Sequence, residues 1–246
     1  MRLACFSDIH GNIRALDACL ADLREQGGAD TIVGVGDYCL DGPWPDGVVD
    51  RLRELGATCV RGNTDRYIVS ADSPSDAEER ETRALRWQRE RLGEERVAWL
   101  RSLPFAQRFG APGASAAETL LVVHANPKSD DEHIWPDADD AFLERLTRGV
   151  PERTIAFGHL HLPYARGWRD RLFINVASAG LPKDGDPRAG YAILTQRPGG
   201  WDVRHRRVGF NVDRVAREIE KSGMPDAGKR VNILRRHRYK ELDARS

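Results

Sequence analysis

RLACFSDIHGN, residues 2–12, places a short apolar run directly before an aspartate, a histidine and a glycine. Residues 2–7 predict a strand. Asn12 is a typical N-cap, and the apolar residues after it recur at helical spacing, which predicts a helix over residues 13–26. This strand–turn–helix order predicts an α/β protein with polar residues in the loop after its first strand.

The remaining pattern is βα-like at first and richer in strands later. Further strands are predicted at residues 31–35, 57–61, 105–109, 118–124, 153–157, 172–176, 190–196 and 201–208. Further helices are predicted at 45–55, within the charged segment 72–103, at 139–147 and at 211–222, the last of which should finish the ordered part. No repeat or long linker divides the chain, so we predict one domain over residues 1–246.

Composition narrows the class of protein. The 246 residues carry 38 basic and 38 acidic side chains, and this balance gives no argument for nucleic acid or an anionic membrane as partner. No apolar run approaches the roughly 18 residues of a membrane span, and the start, MRLACFS, does not resemble a signal peptide. The four cysteines show no CxxC spacing and predict reduced thiols, so we expect a cytoplasmic protein with no membrane partner.

The C-terminal helix and tail, residues 209–246, are locally basic. From Arg204 to Ser246, 13 Lys and Arg face 6 Asp and Glu, a net charge of +7. The RRHR run at 235–238 leaves two interpretations open. It is either a solvated tail or oligomer arm, which we favour, or a site for RNA or an acidic partner. The oligomeric state is not predicted.

Oxygen and imidazole side chains follow five of the predicted strands. They are Asp8, His10, Asp37, Asn63, His124, His159 and His161. Loops at strand ends of an α/β sheet converge, so we expect these side chains to meet in one site. Seven ligands exceed one tetrahedral zinc and suit two divalent ions that share a carboxylate. Two ions about 3.5–4 Å apart can clamp a phosphoryl group and supply hydroxide from a bridging water.

The order of these residues carries a family resemblance. The chain has DxH at residues 8–10, GDxxxxG at 36–42, GN at 62–63, a lone histidine at 124 and GHxH at 158–161. Together they resemble the calcineurin-like metallophosphoesterase family over roughly residues 1–208. SDIHGN at 7–12 and GLPKDGDPRAGYAIL at 180–194 look like its compact bacterial and archaeal phosphodiesterase-like branch.

The resemblance implies a fold and a set of roles. It implies a four-layer α/β/β/α sandwich of two mixed sheets. It implies two divalent ions per chain, from among Mn, Fe, Zn and Ni. Asp8, His10 and His161 would hold the first ion, Asn63, His124 and His159 the second, and Asp37 would bridge them.

One departure concerns the third motif, in which the family often has a histidine after the asparagine. This chain has Thr64, whose hydroxyl cannot act as a general acid near neutral pH. His133, in the loop after His124, is the residue we name as a catalytic candidate in its place. Asn63, Thr64 and Arg66 are candidates for substrate binding, although a solvated loop arginine is an equal interpretation of Arg66.

Three functions remain open. The favoured one is hydrolysis of small phosphodiesters such as cyclic nucleotides. The alternative is hydrolysis of dinucleoside polyphosphates, phosphomonoesters or phosphoproteins. Hydrolysis of phosphoproteins is the weakest of these, because the chain lacks the GDxVDRG signature of protein phosphatases and reads YCLDG at residues 38–42. The third is a non-catalytic scaffold for protein interaction, which disagrees with the complete set of seven ligands.

Overall fold

Ten strands form two mixed five-stranded sheets in the computed structural model, which describes residues 1–70 and 79–238. The strands are β1 Arg2–Phe6, β2 Thr31–Gly34, β3 Thr58–Cys59, β4 Ala106–Phe109, β5 Leu120–Val123, β6 Thr154–Phe157, β7 Tyr164–Trp168, β8 Arg171–Asn175, β9 Ala189–Arg197 and β10 Gly200–Val208. The first sheet has the order β10-β9-β1-β2-β3 and the second β4-β5-β6-β8-β7. Within each sheet three strands run parallel, β1-β2-β3 and β5-β6-β8, and antiparallel strands complete it.

Seven helices lie in the described residues. They are α1 Ile13–Glu25, α2 Pro45–Glu54, α3 Asn63–Val69, α4 Glu79–Ser102, α5 Asp140–Thr147, α6 Val212–Lys221 and α7 Ala227–Arg236. The Asn12 side chain caps α1 by accepting from the Ala15 N–H, as its position predicts. Pro45 opens α2. Within the described ranges, no helix combines the length and the apolar character that crossing a bilayer requires.

The alternation of side chains along β1 explains the layers. Leu3 and Cys5 point between the two sheets and pack with Val122 and Ile174 of the second sheet. Phe6 points to the other face and packs with apolar residues of α1, α2 and α4. A third cluster covers the outer face of the second sheet with α5. This arrangement confirms the four-layer sandwich.

Four local predictions need correction. The helix at 211–222 does not finish the ordered chain, because α7 follows and buries Val231 and Leu234. The RRHR run therefore begins inside a folded helix, and Arg235 pairs with Asp213. The strand β7 and the helix α3 were not predicted, and Gly93, with φ 70°, interrupts α4. Residues 72–78 of the predicted helical segment and 239–246 of the tail lie outside the described residues.

Candidate metal centre

All seven predicted ligands come together at the carboxyl ends of the parallel strands. They form two groups, and in each the ligand atoms of three residues lie within 4.8 Å of one another. The first group is Asp8, His10 and His161, and the second is Asp37, His124 and His159. Asn63, the first residue of α3, joins the second group through a 3.0 Å contact with His124 Nε2.

Hydrogen bonds fix the ring orientations in the first group. His161 Nδ1 donates to the carbonyl of Leu181, so its Nε2 carries a lone pair. That Nε2 lies 3.2 Å from Asp8 Oδ1 and 3.3 Å from His10 Nε2. Among the described residues, nothing donates a hydrogen bond to Asp8 Oδ1, which is buried. Three potential ligand atoms therefore converge on one point.

The second group has the same character. His124 Nδ1 donates to the carbonyl of Val35 at 2.8 Å, which directs its Nε2 inward, 3.3 Å from Asp37 Oδ1. His159 contacts the carbonyl of Asp131 through Nε2, so its Nδ1 faces inward. The Asn63 amide faces Asp37 and both rings, and turning it over brings its NH₂ within hydrogen-bonding distance of an acceptor on each of the three, of which its two hydrogens can serve two. Asn63 thus brings a polar atom into this group in either orientation.

Asp37 stands between the two groups. Its Oδ1 faces His124, while its Oδ2 lies 3.9 Å from His10 Nε2 of the first group. Buried carboxylates next to imidazole lone pairs repel each other unless a positive charge lies between them. The donor set of oxygens and imidazoles therefore fits two divalent ions that share the Asp37 carboxylate.

The electrostatics of the rings point the same way. Burial lowers the pKa of His10 to about 3 and of His159 to about 4, so both rings are neutral and able to coordinate. Burial also works against charge on His124, but the Asp37 carboxylate outweighs it and raises the pKa of His124 to about 10. The second group thus stabilises a positive charge at the inward nitrogen of that ring.

The backbone of the site is strained. Five of the predicted ligands have positive φ angles between 48° and 63°, namely Asp8, His10, Asp37, His159 and His161. Aspartate and histidine adopt this region more readily than most residues, but it still costs energy. Such strain concentrates where a side chain must be aimed at a functional site.

Glycines allow the ligand loops to approach one another. Gly36 has φ 89°, and a Cβ there would lie 2.5 Å from His124 Nδ1. A Cβ at Gly62 would collide with the Asp37 carboxylate. These positions explain two of the four glycines beside ligands in the sequence.

Thr64 and Asp65 both support Asp37. The Thr64 N–H donates to Asp37 Oδ1 at 2.9 Å, and the Thr64 hydroxyl lies 3.5 Å from the carbonyl of Cys39. The buried Asp65 carboxylate accepts from the N–H groups of Asp37, Tyr38 and Gly62. Asp65 therefore has a structural role, while substrate binding by Thr64 stays a prediction.

Arg66 and His133 lie beside the second group. Arg66 forms a two-pronged ion pair with Asp130, at 2.8 and 3.1 Å, so substrate binding by Arg66 competes with a formed contact. The His133 ring lies 4.2 Å from the His159 ring, centroid to centroid, which places it at the edge of the site. Burial lowers its pKa. Its catalytic role stays a prediction.

Sequence reasoning missed Lys183. It comes two residues after Leu181, whose carbonyl accepts from His161, so the loop that carries it lies beside the first group. Burial lowers the pKa values of His10, His133 and His161, and the Lys183 ammonium adds to this effect. The available signal was a lone basic residue in the glycine- and proline-containing run GLPKDG. A single lysine in a loop carries no periodic signal that would place it at the site.

The protein resembles known proteins over most of its length. The family model described as calcineurin-like phosphoesterase matches residues 1–181. An uncharacterised protein of Methanocaldococcus jannaschii is 27% identical over 242 residues, covering 91% of this chain and 94% of its own. Phosphodiesterase YfcE of Escherichia coli K12 is 27% identical over 206 residues, which cover 79% of this chain and 87% of the E. coli protein.

A solved structure agrees with the sequence matches. A metallophosphoesterase from Sphaerobacter thermophilus has a TM-score of 0.78 at 26% identity, covering 96% of this chain and 99% of its own. This structural similarity agrees with the family match over residues 1–181 and with the two groups of potential metal ligands. The chain belongs to the calcineurin-like phosphoesterase family and is a metal-dependent phosphoester hydrolase.

Proposed function

We propose that the protein hydrolyses small phosphodiesters, cyclic nucleotides or related molecules, at a centre of two divalent ions. Asp8, His10 and His161 would hold the first ion, Asn63, His124 and His159 would hold the second, and Asp37 would be shared between them. The observation that carries this proposal is the position of Asp37, with one carboxylate oxygen facing each group. The mixed oxygen and imidazole donors favour Mn, Fe, Zn or Ni.

The reaction follows from the chemistry of the site. When bound, a pair of divalent ions lowers the pKa of water and neutralises charge on the phosphoryl oxygens. Residues of the chain then decide which esters react. Lys183 adds positive charge beside the first group, where it favours an anionic substrate.

The preference for diesters rests on Thr64. A monoester dianion repels an attacking hydroxide more than a diester monoanion does, and expelling an alkoxide requires a proton or strong charge stabilisation. Thr64 supplies no imidazole, and its hydroxyl lies 3.5 Å from the Cys39 carbonyl. The phosphodiesterase name of the similar E. coli protein also supports this preference.

The cytoplasmic location stays a prediction. All four cysteines, Cys5, Cys19, Cys39 and Cys59, are buried free thiols, as that prediction requires.

One experiment tests the proposal. The metal content of the purified protein is measured, and bis-nitrophenyl phosphate, cyclic nucleotides, nitrophenyl phosphate, alkyl monoesters and dinucleoside polyphosphates are compared as substrates. We expect about two ions per chain and the highest kcat/KM on diesters. A strong preference for alkyl monoesters would reject the diester assignment, and full ion occupancy without any hydrolysis would leave only a scaffold.

A further inference from the structure

The C-terminal helices α6 and α7 lie beyond the residues matched by the family model, yet they reach the first ligand group. Val231 and Leu234 of α7 pack with Val215 and Ile219 of α6 in one buried cluster. Leu181 belongs to the same cluster, and its carbonyl accepts the Nδ1–H of the ligand His161. The two helices therefore pack against Leu181, the residue that accepts a hydrogen bond from the predicted ligand His161.

A second connection runs through Arg230 of α7. The guanidinium forms an ion pair with Asp41, in the loop between β2 and α2. Both side chains are largely buried, at 11% and 16% exposure, so water screens this pair less than a surface pair. Arg230 and Asp41 are 189 positions apart in the chain, and their pairing joins α7 to the loop that follows Asp37.

Asp41 in turn faces the ligand His10. Its Oδ2 lies 3.8 Å from His10 Nδ1, which has no hydrogen-bond partner among the described residues. The outward nitrogens of the other three ligand histidines each contact a backbone carbonyl, those of Val35, Asp131 and Leu181. His10 is thus the ligand ring whose outward nitrogen faces a carboxylate.

The loop is built for this placement. Leu40 and Asp41 have φ angles of 67° and 66°, two successive non-glycine residues in the left-handed region. At 3.8 Å the Asp41 carboxylate lies beyond hydrogen-bonding distance and acts on His10 through its negative charge, which favours the tautomer with the proton on Nδ1 and leaves the Nε2 lone pair facing inward. The strain of the turn thus serves to present the Asp41 carboxylate between Arg230 and His10.

We propose that Arg230 is a positioning residue for the first ion, because it holds the Asp41 carboxylate opposite His10 Nδ1 and so keeps His10 Nε2 aimed at that ion. The C-terminal helix pair is then a support of one metal site and not of the other. This inference rests on the assignment of His10 in the proposed function.

Two parent variants allow each ion to be measured alone. His124→Ala should retain the first ion, and His161→Ala should retain the second. Arg230→Ala is added to each parent, and Mn²⁺ is titrated calorimetrically into chelator-stripped protein. We expect Mn²⁺ affinity to fall about 10–100-fold in the His124→Ala parent. It should change by less than about threefold in the His161→Ala parent.

Two further variants separate positioning from stability. Arg235→Ala removes an exposed ion pair with Asp213 on the same helix, at 3.1 Å, and should leave both affinities unchanged. Arg230→Lys keeps the charge and should restore part of the lost affinity. Equal weakening of both ions by Arg230→Ala, accompanied by a lower melting temperature, would overturn the inference, as would an unchanged first-ion affinity.

The test separates this inference from the proposed function. The titrations use Mn²⁺ alone, so a protein that binds two ions and cleaves no diester would reject the proposed function and leave the inference standing. If His10→Ala leaves the first-ion affinity unchanged, the inference fails, while diester hydrolysis is still measured independently.

Discussion

The two groups of ligands are supported by different parts of the chain. His124 of the second group is fully buried, and its outward nitrogen is held by Val35, next to a strand of the first sheet. His10 of the first group faces Asp41, whose partner Arg230 comes from the far end of the chain. Residues beside the sheets thus support the second group, whereas the first group is also supported by helices α6 and α7, which follow the last strand in the chain. Variants that separate the groups test this difference.

The largest effect is expected at the residue that lies between the two groups. Replacing Asp37 by Ala removes the carboxylate between the groups, so both ions should be lost. Loss of several kcal/mol of charge stabilisation corresponds to about a 10³-fold lower kcat/KM. Elemental analysis and diester kinetics check this result. Asp46→Ala, which removes an exposed partner of Arg91, is the matched control. Two tightly bound ions in Asp37→Ala would disprove the bridging role.

A single-group variant should separate the ions. His124→Ala removes a predicted ligand of the second group only. The affinity for the second ion should therefore fall by more than the roughly 10–100-fold that follows loss of a hydrogen-bond partner of a ligand. The first ion should remain bound, because Asp8, His10, His161 and Asp37 are unchanged. Mn²⁺ titration would show one tight site in place of two. Loss of both ions together would mean that the groups do not bind independently.

The convergence of the seven predicted ligands could be anticipated because each follows a strand in the sequence. Asp8, His124 and His159 stand directly after or near an apolar run, and parallel strands bring such positions to one edge. The family resemblance and the four-layer fold are confirmed. Both could be predicted because each motif lies next to a strand in the chain. Tyr164–Trp168, YARGW, lacks apolar alternation, so the strand β7 escaped prediction.

The support of the first group was not predictable. Helix α7 follows the turn-like run GMPD and carries four basic residues, a composition typical of a solvated tail. Its position is fixed by tertiary contacts, among them the packing of Val231 and Leu234 against α6 and Leu181. The pairing of Arg230 with Asp41 spans 189 positions and leaves no periodic signal in the sequence. Lys183 was missed for a similar reason, because its proximity to the first group arises from tertiary structure.

A smaller effect is expected at His133, which lies against the second group. His133→Phe keeps a ring beside His159 and removes the nitrogen atoms. If His133 donates a proton or binds phosphate, turnover should fall toward the lower end of the 10²–10⁴ range for a positioned general acid. Both ions should remain bound. His133→Gln, which keeps a hydrogen-bond donor, distinguishes phosphate binding from proton transfer. Kinetics equal to wild type in both variants would return His133 to the surface of the site.

The smallest effect is expected at Thr64, because the contact of Thr64 with Asp37 is made by its backbone and not by its side chain. Its N–H donates to Asp37 Oδ1 at 2.9 Å, a bond that a side-chain replacement leaves in place. Thr64→His adds an imidazole able to protonate a leaving oxygen. Since Thr64 is buried, the ring must displace neighbours, so we expect only about a tenfold rise in monoester over diester efficiency.

The measured quantity for Thr64→His is a ratio of kcat/KM values on one enzyme preparation, which removes errors in active concentration. Thr64→Ala is the control, and its ratio should match that of the wild type, because the hydroxyl is not expected to supply a proton. A ratio that falls in Thr64→Ala would show that the hydroxyl itself assists monoester cleavage. An unchanged ratio in Thr64→His, with both ions retained, would show that substrate preference is set elsewhere. The remaining side chains at the edges of the groups, His133 and Lys183, would then be the residues to vary.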